Sequence, residues 1–425
     1  MMPGRNSVVA WMLVLGCYLL YRLAPGWPQV CDSRYSLLVS VNVLRHASWS
    51  LDNYLPPGEL PYQLTRTQPD GPVWYGYPLG SSVLSLPIVL ALMLASDGPG
   101  DDPEAALAWE TRAQVEAAAL VAAGNVAVLF LLARLWLSLR AALGFTLVFA
   151  LGTSLWSTNA RGLWSHTWAG LLLSLTVLIL ARIERRRQTV GLAAGVGLGA
   201  LLFVAWWTRT HLLISVLAVG AYLLWHHRRV ALAYLLTLLT LRMALMAFSQ
   251  AIFGQLSPPT VYSAGVLSLD EVGSRFLAVL LSPSRGLLIY TPVLAVWGLG
   301  LILYRRRLAD TGLLSPALLA VTGQLALLSA YPGWHGGACF GPRYFSDVLP
   351  WFFLLGVLAT QAVPASIPWR GLETAALAWG VLVHTHGAIN RQPWRWCQRL
   401  TQGDPEATAR DWSRPQFLAG VTYRN

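Results

Sequence analysis

Apolar residues fall into runs near residues 8–24, 79–96, 113–136, 141–156, 166–183, 189–206, 211–226, 230–250, 286–304, 311–331, 345–363 and 371–388. A helix that crosses a bilayer needs roughly 17–25 mostly apolar residues. Runs of this kind, repeated along the chain, predict an all-α polytopic membrane protein.

The polar stretches between the runs are of two kinds. One set is rich in arginine: Arg5, Arg134 with Arg140, "RIERRR" at 182–187, "HHRR" at 226–229, "YRRR" at 304–307, and Arg370. The other set is longer and aromatic: 25–112, "WSTNARGLWSH" (156–166), "WWTRTH" (206–211), 251–285, "YPGWHGGACFGPRYFSD" (331–347) and 389–425. Basic connectors belong on the cytoplasmic side. If all the runs cross, several basic connectors fall on the wrong side. The conflict disappears if 79–96 does not cross. That run opens "YPLGSSVLSLP" with Pro78 and Pro87 and ends in the acidic "SDGPGDDPE", which suits a juxtamembrane or re-entrant helix. About eleven transmembrane helices then remain, with a large first external loop carrying juxtamembrane helices. The N-terminus is cytoplasmic and the C-terminus external. The expected division is a transmembrane domain over 1–388 and an external tail over 389–425, in a bacterial inner membrane. Cys31, Cys339 and Cys397 then lie on the external face.

Composition agrees. Of 425 residues, 55% are hydrophobic and 12% charged, with a mean hydropathy of +0.52; soluble domains carry about 25% charged residues. A soluble two-domain enzyme is excluded. The net charge of +11 comes from 30 basic residues, all arginine. They sit mostly between apolar runs, a topogenic pattern rather than a nucleic-acid one. The four cysteines have no metal-ligand spacing.

Candidate chemistry clusters in the external set. Asp32, in "CDSRYSLLVSVNVLRHASW", either caps the amphipathic helix that follows it or acts as a general base. Arg34 and Tyr35 flank it. Tyr75 and Tyr77, in "DGPVWYGYPLG", suit either an interfacial belt or a wall that stacks on a sugar ring. Arg161, His166, Arg209 and His211 are ionisable groups at membrane depth, and such groups mark candidate sites. Arg285 and Tyr290 belong to "SPSRGLLIYTP". In "WHGGACFGPRY", Trp334 and His335 precede Arg343 and Tyr344. Arg343 at a helix start is a ready anion site; a snorkelling arginine reads the same way. Gly336, Gly337 and Gly341 would let a bulky ligand approach the backbone.

In its order of features the chain resembles the GT-C membrane glycosyltransferases, a superfamily that includes protein O-mannosyltransferases, aminoarabinose transferases and oligosaccharyltransferase catalytic subunits. The matching features are a first helix, a long external loop with an early Asp ("DSRY"), and juxtamembrane helices ("YPLGSSVLSLP"). The phrases "SRGLLIYTP" and "GWHGGACFGPRYFSDVLP" look like those of bacterial members with a "W-GG-FGPRY-LP" signature. The likeness spans roughly residues 8–365. It implies transfer of a sugar from a polyprenyl-phosphate carrier to an acceptor at the external face, with inversion. Asp32 would then be the base, with Arg343, Arg209 and Arg161 on the lipid phosphate. Metal-using members carry acidic residues in the second external loop, and "WSTNARGLWSH" has none, so neither a metal nor another cofactor is expected. The expected partners are membrane lipid and lipid-linked sugar. A lipid-linked sugar transporter or flippase, and a non-catalytic scaffold, remain as alternatives. A transporter predicts inverted repeats and mid-membrane charge; no clear repeat is visible, and Arg242 is the main mid-span charge.

Overall fold

A computed structural model describes residues 4–55, 58–100, 102–186, 191–261, 267–308 and 311–424. Arg187, in the third basic connector, lies outside the described residues. The fold is helical. In chain order the main helices are α1 (Arg5–Leu23), α2 (Ser36–His46), α3 (Gly80–Ala95), α4 (Pro103–Ala133), α5 (Leu139–Leu151), α6 (Ser165–Arg186), α7 (Leu192–Thr208), α8 (Leu213–His226), α9 (Arg228–Phe253), α10 (Val272–Leu281), α11 (Leu287–Tyr290), α12 (Val293–Leu303), α13 (Leu314–Ala330), α14 (Leu349–Ala362) and α15 (Ile367–Ile389). A two-stranded antiparallel ribbon, Leu64–Arg66 with Val73–Tyr75, lies in the first loop. Among the described residues, five helical segments are long and apolar enough to cross a membrane alone, and seven shorter apolar helices accompany them.

Small residues set the helix packing. In α7, Gly195 and Gly199 let α9 approach closely: a Cβ at Gly195 would lie 2.4 Å from the Val230 carbonyl oxygen. This small-xxx-small spacing is a membrane packing device, because lipid offers no hydrophobic drive between helices. The alanine-rich α4 packs against α1 and α6, and Ser174 donates to Asn125 Oδ1 at 2.6 Å across the α4–α6 seam.

The apolar runs largely become helices, with two changes. The run 286–304 breaks at Pro292, which separates α11 from α12, and the connector 251–285 contains α10. The run 79–96 becomes α3, which packs on α2. Its C-terminal end returns to the start of α4, where Trp109 donates to Ser96 Oγ at 3.2 Å. Together α2, α3, the ribbon and the first half of α4 enclose a separate hydrophobic core around Leu37, Leu38, Tyr54, Val73 and Trp109.

The two kinds of connector separate in space. The aromatic ones touch one another: Gln29 N–H donates to the Arg161 carbonyl at 2.7 Å, Val261 N–H to that of Gly76 at 2.9 Å, and Ser268 N–H to that of Ala330 at 2.8 Å. At the other end Arg134 donates to Asn6 at 3.2 Å, Gly312 N–H to Glu184 at 2.8 Å, and Arg307 to the Ala362 carbonyl at 3.1 Å. Ser413 and Arg370 are exposed, one at each end. Cysteines placed there are expected to react with a membrane-impermeant maleimide on intact cells at position 413 and not at 370. Labelling of 370 alone would invert the topology.

Candidate functional site

The turn that presents Asp32 is built by α4. Glu110 accepts the backbone N–H groups of Tyr35 at 2.8 Å and Leu37 at 3.0 Å, satisfying the exposed donors at the start of α2. Ser33 and Gln114 complete the brace at 2.7 Å. Tyr35 adopts φ +74°, which turns the chain sharply into α2. The capping reading of Asp32 therefore falls to Glu110, and the Asp32 carboxylate is turned to a different set of partners.

The first of those partners comes from the far end of the chain. Arg343 Nη2 donates to Asp32 Oδ2 at 2.8 Å. The Arg343 guanidinium lies over Trp164, 4.5 Å from the ring centre, and over Tyr344, at 5.2 Å. Tyr62 donates to Asp32 Oδ1 at 3.3 Å and Tyr75 to the Asp32 backbone carbonyl at 2.6 Å. Burial, and next the charge of Asp32, push the Tyr62 phenol above its ordinary pKa. Where the sequence suggested Arg343 as a phosphate contact, its terminal nitrogen lies on Asp32.

A second acid, Asp347, organises the neighbouring polar groups. It is fully buried on the 3-10 turn Arg343–Val348. Arg209 Nε reaches both of its oxygens, at 3.2 and 3.0 Å. His166 Nδ1 lies 3.5 Å from Oδ1 and His211 Nδ1 3.6 Å from Oδ2. A buried carboxylate requires such a counter-charge, and breaking the pair from one side costs about 3–5 kcal/mol. Asp347 was not among the residues singled out in "FGPRYFSDVLP". The available signal was an acid at the head of an apolar run.

Asp32 opens into a narrow cleft with Tyr75, Tyr77, Pro78, Trp164 and Arg209 on its walls. In this state the cleft holds only about 20 Å³, so a sugar enters only if a wall moves. Beyond Pro78 lies a much larger, largely apolar cavity of about 500 Å³. Trp206, Trp207, His211, Tyr331 and Arg242 line it, and Pro78 belongs to both walls. Arg242 has no hydrogen-bond or ion-pair partner among the described residues.

The structure thus brings together Asp32, Tyr75, Tyr77, His166, Arg209, His211, Arg343 and Tyr344. Arg34 lies apart, with Arg391 and Trp27 in a separate hollow. Arg161 donates to the carbonyls of Tyr21 at 3.1 Å, Ala24 at 3.2 Å and Gly26, capping the C-terminus of α1. Arg285 donates to the carbonyls of His335 at 2.6 Å and Gly337 at 3.0 Å and to Gln416. Tyr290 is buried under this loop against Phe340 and Phe417. Trp334 donates to Glu406 of the tail at 3.0 Å. Buried Gln416 ties the tail to the loop through Gly341 N–H and the Cys339 carbonyl, at 3.0 and 2.8 Å. Gly336 and Gly341 have φ of +72° and +62°, and added Cβ atoms would meet Arg343 and the Tyr290 ring. Their glycines make room for the protein's own side chains. Among the described residues, no three His, Cys, Asp or Glu side chains gather as a metal site would.

No family model and no curated protein matches the chain. Among solved structures, ArnT of Cupriavidus metallidurans is similar in fold. The undecaprenyl-phosphate-bound form superposes with a TM-score of 0.52 at 12% identity, and the apo form with 0.56 at 14%. Each match covers 97% of this chain and 75% of the other. The chain therefore has the GT-C fold seen in ArnT.

Burial, then the nearby Arg285 charge, lower the His335 pKa from 6.5 to about 4. An unfolded chain takes up this proton first as pH falls. The His335 contribution to stability is therefore complete above about 6.5, declines between about 6.5 and 4, and levels off below. His335→Gln is expected to flatten that part of the melting-temperature profile; an unchanged slope would refute the assignment.

Proposed function

We propose that the protein is an inverting glycosyltransferase that uses a polyprenyl-phosphate-linked sugar at the external membrane face. The observation that carries this reading is the junction at Pro78. An apolar cavity with an unpaired arginine there meets a cleft headed by a carboxylate. The prenyl chain occupies the cavity among Trp206, Trp207 and Tyr331, and Arg242 neutralises the phosphate. The ArnT structure with bound undecaprenyl phosphate supports such a carrier for this fold. The sugar then crosses Pro78 toward Asp32, displacing the Tyr62 hydroxyl, with Tyr75 and Tyr77 beside the ring.

Asp32 accepts the proton of the acceptor nucleophile as that atom attacks the anomeric carbon. The carbon–oxygen bond to the carrier breaks on the opposite side, and the electron pair leaves on the phosphate. Arg343 acts on Asp32, holding its carboxylate in place, and Asp347 holds Arg209 at the cleft wall. This chemistry uses no metal.

Two substitutions separate the roles. Asp32→Asn is expected to lower turnover by roughly 10²–10⁴-fold, as loss of a general base does, with carrier binding retained. Arg242→Leu is expected to weaken carrier binding roughly 10-fold or more, as loss of a charged hydrogen bond does. Transfer in membranes that survives Asp32→Asn and Asp32→Ala would exclude the mechanism. A transporter would instead move lipid-linked sugar across vesicles with Asp32 replaced.

A further inference from the structure

We infer that His211 is the proton-bearing contact for the carrier phosphate and that Asp347 is the residue that orients it. This rests on the donor-site reading above.

Asp347 has an imidazole on each oxygen, His166 at 3.5 Å and His211 at 3.6 Å, both through Nδ1. Both Nδ1 atoms are buried and have no hydrogen bond within normal length. A carboxylate only accepts, so each Nδ1 carries its hydrogen toward Asp347, and each neutral ring turns a bare Nε2 the other way. The two rings then differ. His166 is sealed, 1% exposed, and stacks on Trp164. His211 is 23% exposed and lines the 500 Å³ cavity that also holds Arg242. Its Nε2 is the one with access to a ligand.

The charges facing His211 can be named element by element. Arg209 lies on its own segment and is offset by Asp347 on the 3-10 turn. Arg343 on that turn is offset by Asp32. His166 comes from the start of α6, Tyr344 packs edge-on at 5.6 Å, and Arg242 comes from α9. The acids are matched within the protein, leaving Arg242 and a protonatable His211 for the anion.

The carrier freed by transfer ends in a phosphate monoester, and a bare Nε2 repels its doubly ionised form. A stable contact needs one proton between Nε2 and a phosphate oxygen. An imidazolium supplies it, or a singly ionised phosphate brings it. Either way the complex retains one proton that the separated partners lose as pH rises through their pKa values. No bond other than this N–H···O contact changes. Carrier affinity is therefore expected to fall with rising pH, and His211 to be the cause. Burial, then the Arg209 charge, hold the His211 pKa below its ordinary value despite Asp347, so the ring is neutral before the anion arrives and the proton is taken up with it.

The test uses purified full-length protein in detergent and measures binding of undecaprenyl phosphate from pH 5.5 to 8.5, with undecaprenol as the phosphate-free control. Wild type is expected to bind the phosphate roughly 10-fold more tightly at pH 6 than at pH 8.5, the scale of one charged hydrogen bond. His211→Gln should lose most of that gain at pH 6 and show a flat profile. Asp347→Asn should flatten it partly. Melting temperatures identify folded variants, and calorimetry in two buffers of different ionisation heat counts the retained proton for wild type. If phosphate is preferred over alcohol but His211→Gln keeps the wild-type affinity and slope, or no proton is retained, this inference is wrong while the donor site stands. If wild type does not distinguish phosphate from alcohol, the donor-site reading itself fails.

Discussion

A fully buried carboxylate has to be matched, and the end of this protein that carries the aromatic connectors is arranged around how Asp347 is matched. Its three partners come from two places: Arg209 and His211 beyond α7, and His166 at the head of α6. Leaving any one charge unpaired in this low-dielectric interior costs several kcal/mol. The helix ends are therefore held in one mutual position. That position sets the wall shared by the Asp32 cleft and the large cavity, because Arg209 faces one and His211 the other.

The Asp32–Arg343 pair extends the same logic along the chain. It joins residues 311 positions apart. The Arg343 guanidinium lies over both Trp164 and Tyr344, so its planar group has little freedom to leave. The loop behind it is pinned from the other side by Arg285, Gln416 and the docked tail. Asp32 is thus fixed by two loops and a tail, while its partner Tyr62 is 59% exposed.

Much of the architecture was legible beforehand. Apolar runs and arginine connectors marked most helices and the two kinds of connector, because bilayer thickness and charge asymmetry act on segments one at a time. Asp32 stood out for the same local reason: it is a lone acid at the head of the first long loop. The run at 79–96 stood apart in sequence by its prolines and serines, and in the fold α3 packs on α2 within the first-loop core. Arg161 and Arg285 looked similar to Arg343 in sequence, yet they serve carbonyl groups of the protein itself. Nothing local distinguishes an arginine facing a ligand from one facing a helix end.

By itself the sequence determined the helical membrane character, the approximate helix positions and the candidate base, since each depends on composition or spacing within one stretch. Only the tertiary structure decided which charges neutralise each other. It gave Arg343 to Asp32, Arg209 to Asp347, and left Arg242 in the large cavity. Electrostatic pairing falls steeply with distance and rises with burial, and both are properties of the folded chain, set here between residues hundreds of positions apart.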